Sequence, residues 1–370
     1  MRVLWLNWKD IKHPEAGGAE VYTHEIAKRL VKKGYEITLF TSYFEGAERK
    51  EEIDEIEIIR GGKIIGIFDT VYSHAKRFYK KNKDNFDLVI DEINTRPFLT
   101  PKYVDKPIIA LIHQLAVEFW DYKTPFPVNL IGKHFLEPYW LKHYVNVKTI
   151  TVSESTKEDL ERLGFKDVEI VYNGLDGNIL DSVPEKEEEF TAIFVGRLTP
   201  TKKPEDAIMA FKTFNKGKLW VVGRGELEER LKKQHNSNNI VFKGFVSEKE
   251  KIELMKRAHV LLVPAIREGW GRVVIEANAL GTPVIGYNVP GLRDSIKHNY
   301  NGLLCEPNPK AMSEALKELY EDETLRKRLS ENALEWAKRF SWDESAEKFE
   351  RILRGVSNDS KVFRSSNSCC

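Results

Sequence analysis

The chain has 370 residues, a length that suits about two domains, and its 41% hydrophobic content can build sizeable cores and is too high for a disordered chain. Its 58 Lys and Arg stand against 57 Asp and Glu, a balance that argues against a bulk electrostatic grip on nucleic acid. No apolar run approaches the ~20 residues that cross a bilayer, and Cys305, Cys369 and Cys370 supply neither a disulfide framework nor a zinc site, so a reducing, cytoplasmic setting is expected.

The first segment, "MRVLWLNW", reads as a strand whose apolar run is too short for a signal peptide. The glycine pair Gly17-Gly18 follows, then "AEVYTHEIAKRLVKKG", where Val21, Ile26, Leu30 and Val31 lie close to one helical face and Gly34 stops the helix. Bare glycine backbone at a helix start suits an anion, because free N–H groups and the helix dipole point at it; a plain tight turn suits it equally. The dinucleotide fingerprint G-x-G-x-x-G is absent there, which weakens a dehydrogenase reading. Further strands read in "EITLFTS", "EIEIIRG", "FDLVIDEI", "PIIALIH", "VKTITVS" and "EIVYNG". His113 ends "PIIALIH", and although a lone histidine is more often structural, a strand terminus is where an α/β sheet places ligand-facing groups. The stretch from Leu115 to Tyr144 is unusually aromatic. Inter-helix core and one wall of the cleft is the preferred reading of these rings, with an acceptor groove or a membrane-surface contact as the alternative. "HAKRFYKKNK" is a solvated charged face or a basic membrane-facing helix.

"DSVPEKEEEF" buries nothing obvious and reads as a linker. A second alternating series follows in "FTAIFVGRL", "KLWVVGRG", "NIVFKGFV", "HVLLVPAI", "TPVIGYN" and "GLLCEP", and three helical stretches close the chain at 309–321, 323–339 and 342–354. Strand–helix alternation throughout predicts an α/β fold of two doubly wound Rossmann-like domains of six or seven strands each, with ligand in the crevice at the carboxyl ends of the strands. The expected boundaries are 1–182 and 183–340 for the two domains, 341–356 for a terminal helix, and 357–370 for a flexible tail. In "FVGRLTPTKKPEDAI", Arg197 and Lys202 follow a strand end, where a forked guanidinium and a mobile ammonium suit a diphosphate, with Lys203 as the solvated neighbour. "VVGRGELEERL" repeats the strand–glycine–helix design with Gly223, and "VYNGLD" supplies Asn173 as a turn residue. "REGWGRVVIEANALGTPVIG" sets Glu268 and Glu276 around the start of a helix, with Gly269 and Gly271 leaving the backbone bare. No Asp-x-Asp occurs in the chain, so Arg, Lys and helix N-termini are the expected neutralisers of a diphosphate, without a metal or other cofactor.

Taken together, "GGAE", the strand-end His113, "VYNGLD", "GRLTPTKK", "VVGRGELEERL", "GFVSEKE", "EGWGRVVIE", "GTPVIG" and "NGLLCEP" resemble, in order and over nearly the whole chain, the retaining glycosyltransferases of family 4, which have the GT-B fold with a deep interdomain cleft. That resemblance implies a hexose-type transfer from a nucleoside-diphosphate sugar, the donor substrate, to a hydroxyl of a glycan, lipid-linked or small-molecule acceptor. It implies that Glu268 and the backbone at Gly269, Trp270 and Gly271 meet the donor sugar. Glu276 would hold the ribose, Arg197 and Lys202 the diphosphate, and Val246 lie near the base. Gly17 and Gly18 would approach the phosphates, His113 the sugar, and Asn173 and Gly223 belong to the donor side. Trp8, Glu20 and Trp120 are placed on the acceptor side, and the terminal helix would return to the first domain. The partners expected are the nucleotide sugar, a carbohydrate or lipid-linked acceptor, and a peripheral contact with the cytoplasmic membrane face, with no nucleic acid. Trp270 stands where the family more often has Phe, and a second glycine after Asp176 leaves that carboxylate without a clear role. A GT-B epimerase or phosphorylase, or a non-catalytic nucleotide-sugar or carbohydrate-binding protein, is the rival reading.

Overall fold

A computed structural model describes residues 1–64, 69–175, 177, 179–235 and 237–367. Asp176, Cys369 and Cys370 lie outside the described residues. The chain divides into two compact units, Met1–Gly174 with Trp342–Cys370, and Leu175–Ser341.

Among the described residues, the first unit is built on eight strands: β1 (Arg2–Leu6), β2 (Glu36–Thr41), β3 (Lys50–Ile53), β4 (Ile56–Arg60), β5 (Leu88–Ile93), β6 (Ile108–Ile112), β7 (Lys148–Thr151) and β8 (Val168–Ile170). They lie in the order β3-β4-β2-β1-β5-β6-β7-β8 and pair in parallel, except that β3 runs antiparallel to β4. Strand β3 has no counterpart in the sequence reading. Its "KEEI" is charged, and it sits at the sheet edge, where no apolar run is required. The chain steps outward from β1 through β2 and returns to the other side of β1 with β5, so strand order reverses at β1/β5. Successive β1 residues face opposite sides of the sheet: Leu4 and Leu6 pack with Phe40, Tyr72, Tyr79 and Val89, while the Trp5 ring stacks on Phe349 at 5.3 Å. Both faces being covered explains why the strands read as unbroken apolar runs.

Helices α1 (Gly18–Lys32), α2 (Val71–Asn82), α3 (Val117–Lys123), α4 (Val128–Ile131), α5 (Glu137–Leu141) and α6 (Glu154–Arg162) belong to this unit, a π-helical turn at Gly132–Leu136 joining α4 to α5. The final helix runs from Trp342 to Asn367, past Val356 where the sequence reading ends it. The segment after Val356 contains no glycine or proline to break the helix.

Among the described residues, the second unit has six parallel strands, β9 (Thr191–Val195), β10 (Lys218–Val222), β11 (Ile240–Gly244), β12 (Val260–Val263), β13 (Val284–Tyr287) and β14 (Gly302–Cys305), in the order β11-β10-β9-β12-β13-β14. Its helices are α7 (Pro204–Phe214), α8 (Glu228–His235), α9 (Glu248–Arg257), α10 (Arg272–Ala279), α11 (Leu292–Ser295), α12 (Pro309–Glu321) and α13 (Glu323–Ala337); the final helix of the chain is α14. Phe194, Leu219 and Val221 pack with Ile208, Phe211 and Leu316 on one face, and Ile193, Trp220 and Val222 with Met255, Val274 and Ile296 on the other. Here the order reverses at β9/β12, so the loops leaving β9 and β12 flank the point where an open α/β sheet leaves room for ligand.

Candidate functional site

The loop leaving β9 begins at Gly196 and Arg197, and Arg197 is exposed. The loop is anchored by backbone: Gly196 N–H donates to the Val222 carbonyl at 3.0 Å and Leu198 N–H to the Arg224 carbonyl at 2.8 Å. Gly223, which follows β10, has φ of +131°, and a Cβ there would stand 1.9 Å from the Gly196 carbonyl oxygen. Its glycine is therefore demanded by the packing of these two strand-end loops, one against the other. Lys202 lies near the end of the Arg197 loop and its ammonium donates to Glu268 Oε1. Lys203, the neighbour expected to be solvated, starts α7 with φ of +48°, is half-buried and pairs with Asp206 at 3.1 Å.

Glu268 comes from the loop leaving β12. Its N–H donates to the Pro290 carbonyl at 3.1 Å, and Gly291 packs on its own carbonyl so closely that a Cβ would meet that oxygen at 2.0 Å. Gly271, with φ of +82°, then starts α10. Trp270 is buried, its ring edge-on to Phe340 at 5.1 Å, so the larger ring at this position fills the interior of the second unit. Glu276, one turn into α10, accepts from Arg272 Nε at 2.9 Å on one oxygen and from Lys251 Nζ of α9 at 3.0 Å on the other. Burial pushes the Glu276 carboxyl up, but the charges of Arg272 and Lys251 outweigh it and hold the group below the usual carboxylate value. The turn after β11 carries Val246, half-buried beside an exposed Phe245, whose ring lies 5.5 Å beneath the Arg224 guanidinium. Ser247 caps α9 by accepting from Glu250 N–H at 3.2 Å.

In the first unit, Gly18 opens α1, and a Cβ there would meet no atom within 4 Å. Gly17 N–H donates to Glu20 Oε2 at 2.7 Å. Glu20, expected on the acceptor side, is a buried residue that caps its own helix, and burial raises its pKa. His113 is buried at the end of β6, its Nε2 3.1 Å from Glu92 Oε1 and its ring edge-on to Tyr22. Glu92 also accepts from Trp5 Nε1 at 2.8 Å and Thr23 Oγ1 at 2.5 Å. Trp8 follows β1, with Lys9 Nζ 4.7 Å over its ring, and Asn173 is buried after β8. Trp120 donates from Nε1 to Glu137 Oε2 at 3.0 Å and covers Gly132, where a Cβ would meet its ring at 2.2 Å.

Within the second unit the structure thus brings Lys202 and Glu268 together directly, sets Arg197 at the same carboxyl edge, and seats Glu276 in a separate cationic bracket. Within the first, Gly17 and Glu20 meet, and His113 joins Glu92. The sequence reading missed Glu92, Arg272 and Lys251. Arg272 was visible as the i−4 partner of Glu276, and Glu92 as a carboxylate inside an apolar strand; Lys251 comes from another helix and gives no local signal. Preference for a core role of the 115–144 aromatics also fails in part. Tyr144 is buried, but Tyr122 of α3, Phe126 between α3 and α4, Phe135 of the π-helical turn and Tyr139 of α5 are exposed. Among the described residues, no cluster of three or more His, Cys, Asp or Glu could hold a metal ion, and no helix is long and apolar enough to cross a membrane.

Two doubly wound α/β units, each with a strand-order reversal, give the fold, which solved structures of GT-B glycosyltransferases share. Residues 16–178 match the family described as Glycosyltransferase Family 4 and residues 177–336 that described as Glycosyl transferases group 1. The chain belongs to this glycosyltransferase family. It is 27% identical over 365 residues to an uncharacterised glycosyltransferase of Methanocaldococcus jannaschii, covering 97% of this chain and 100% of that protein. Among solved structures, it resembles the sucrose-phosphate synthase of Thermosynechococcus elongatus with a TM-score of 0.82 at 18% identity, covering 96% of this chain and 98% of the other. It also resembles Anabaena HepE in complex with UDP-glucose, with a TM-score of 0.74 at 18% identity, covering 96% and 100%.

Proposed function

We propose that this enzyme transfers a hexose-type sugar from a nucleoside-diphosphate sugar to a hydroxyl of a glycan, lipid-linked or small-molecule acceptor, with retention of anomeric configuration and without a metal. The observation that carries the reading is the Lys202–Glu268 pair, with the exposed Arg197 on the same loop as Lys202, at the carboxyl edge where the second sheet reverses. Within the pair each charge neutralises the other. A bound donor offers better partners to both: phosphate oxygens to Lys202 and sugar hydroxyls to Glu268. Arg197 and Lys202 then meet the charge that grows on the leaving diphosphate, the main electrostatic demand of the reaction. The anomeric carbon loses its bond to the phosphate oxygen and gains one to the acceptor oxygen on the same face, and the acceptor's proton passes to that phosphate oxygen. Glu276, held ionised and immobile by Arg272 and Lys251, accepts from the ribose hydroxyls, with the base beside Val246. The UDP-glucose held by the Anabaena neighbour supports a uridine donor among those to be tried.

The test is a titration of UDP-, GDP- and ADP-sugars with exhaustively chelated enzyme, followed by anomeric analysis of any product. One donor should bind and turn over with retention after chelation. Activity that vanishes and returns with Mn²⁺ or Mg²⁺ overturns the metal-free account. Donor consumed with no acceptor and only an epimerised sugar recovered places the chain with the epimerases.

A further inference from the structure

The segment Val117–Leu141 carries seven large apolar side chains that face solvent: Tyr122, Phe126, Val128, Leu130, Ile131, Phe135 and Tyr139, with Phe126 77% and Phe135 70% exposed. On α4, the π-helical turn and α5, residues 128, 131, 135 and 139 form one stripe at helical spacing. The opposite side of the same segment is fixed. Trp120 lies against Gly132, and Glu137 accepts from Trp120 Nε1 at 3.0 Å and from Ala116 N–H at 2.7 Å. The stripe therefore cannot turn inward without breaking those buried bonds.

Cations border it. Lys102 and Lys142 sit 5.5 and 4.3 Å from the Tyr139 ring centre, and Lys76 of α2 sits 5.3 Å from that of Tyr103, next in sequence to Lys102. Arg77, Lys80 and Lys81 of α2 are also exposed. Of the carboxylates nearby, Asp121 is paired with Lys133 at 2.9 Å, and Asp105 with Lys83 at 3.1 Å.

We infer that this stripe and its lysine border form a docking surface for an anionic lipid bilayer, with Phe126 and Phe135 entering the headgroup–acyl boundary and Lys102 and Lys142 resting on the lipid charges. Apolar rings flanked by Lys are the arrangement by which a helix lies in a membrane interface without spanning it. The same border disfavours a second copy of the chain, since a two-fold contact would set the cations of one stripe against those of the other. The inference is independent of the donor reading, because none of these residues belongs to the sugar-nucleotide site.

Flotation of the full chain with phosphatidylglycerol-containing and pure phosphatidylcholine vesicles, at low and high salt, tests it. Binding is expected to the anionic vesicles and to fall with salt. F126S/F135S should reduce it about tenfold or more, and K102Q/K142Q should remove the preference for anionic lipid, while both variants keep the wild-type melting temperature and donor affinity. A wild-type chain that stays with the soluble fraction at low salt overturns the inference. So does F126S/F135S floating as well as wild type, or a wild-type dimer in solution that F126S/F135S converts to monomer.

Discussion

Lys202 and Glu268 are bonded to each other, whereas both oxygens of Glu276 are held by fixed cations, and this difference separates what the two carboxylates can do. Glu276 is pre-organised: burial raises it, Arg272 and Lys251 more than compensate, and it stays ionised below the ordinary carboxylate range. A contact to a charged acceptor contributes about 1.5–3 kcal/mol, so Glu276→Ala should weaken the nucleoside diphosphate and the full donor alike by about tenfold or more. Since that variant leaves Arg272 and Lys251 without their carboxylate, competition by the phosphate-free nucleoside reads the ribose contact alone and should weaken too. Glu268→Ala, by contrast, releases Lys202. Diphosphate affinity should hold or tighten, while turnover falls because the sugar is no longer held in its reacting pose. Calorimetry with the diphosphate alongside steady-state rates distinguishes the two; matching losses of diphosphate affinity would overturn the assignments. Sequence spacing made both glutamates legible, and Arg272 was missed although it stands four residues before Glu276. It could not show that Glu268 is neutralised by Lys202, a pairing of residues on separate loops that exists only once β9 and β12 lie side by side.

Elements followed the sequence wherever burial dictates composition. All six strands of the second unit are apolar on both faces and were legible as such, while the edge strand β3, "KEEI", was not. The segment 181–190 shows the converse failure, since its charge and proline argued for a linker that buries nothing. In fact, Lys186 tucks its ammonium beneath the end of α9, donating to the Lys256 carbonyl at 3.0 Å and to Thr282 Oγ1 at 2.8 Å. Burial lowers its pKa from 10.5 to about 7. The folded state therefore gives up this proton before the unfolded chain does, and unfolding between about 7 and 10.5 takes a proton up. Stability from this group rises with pH across that window, and the cost of the buried charge is felt in full below it. Lys186→Met should be most favourable to the melting temperature, relative to wild type, below pH 7 and lose that advantage as pH approaches 10. A difference between the two proteins that does not change with pH would show that the Lys186 ammonium is solvated.

At the scale of the whole molecule, the first unit is assembled from both ends of the chain. Helix α14 returns after the second unit is complete and supplies a core wall: Phe349 is fully buried and stacked on Trp5 of the central strand β1, and Trp342 lies edge-on to Tyr22 of α1 at 5.8 Å. Polar contacts seal the seam, Ser345 Oγ donating to the Tyr172 carbonyl at 2.8 Å and Lys33 pairing with Glu350 at 2.9 Å, though the exposed ion pair adds little. The return of this helix was expected only through the family resemblance; its role as one face of the β1 core was not legible, because a stack between residues so far apart in sequence leaves no local pattern. Phe349→Ala should cost about 3–5 kcal/mol, the range for deleting a buried aromatic ring, and the loss should fall on the first unit. Two observables check this. Near-ultraviolet dichroism should lose the Trp5 signal at a lower temperature than in wild type, and hydrogen exchange should quicken in β1 and α1 while β9–β14 keep their protection. Equal loss of protection in both units would mean that they unfold as one cooperative block, and no loss in either would mean that α14 is an appendage rather than a wall of the core.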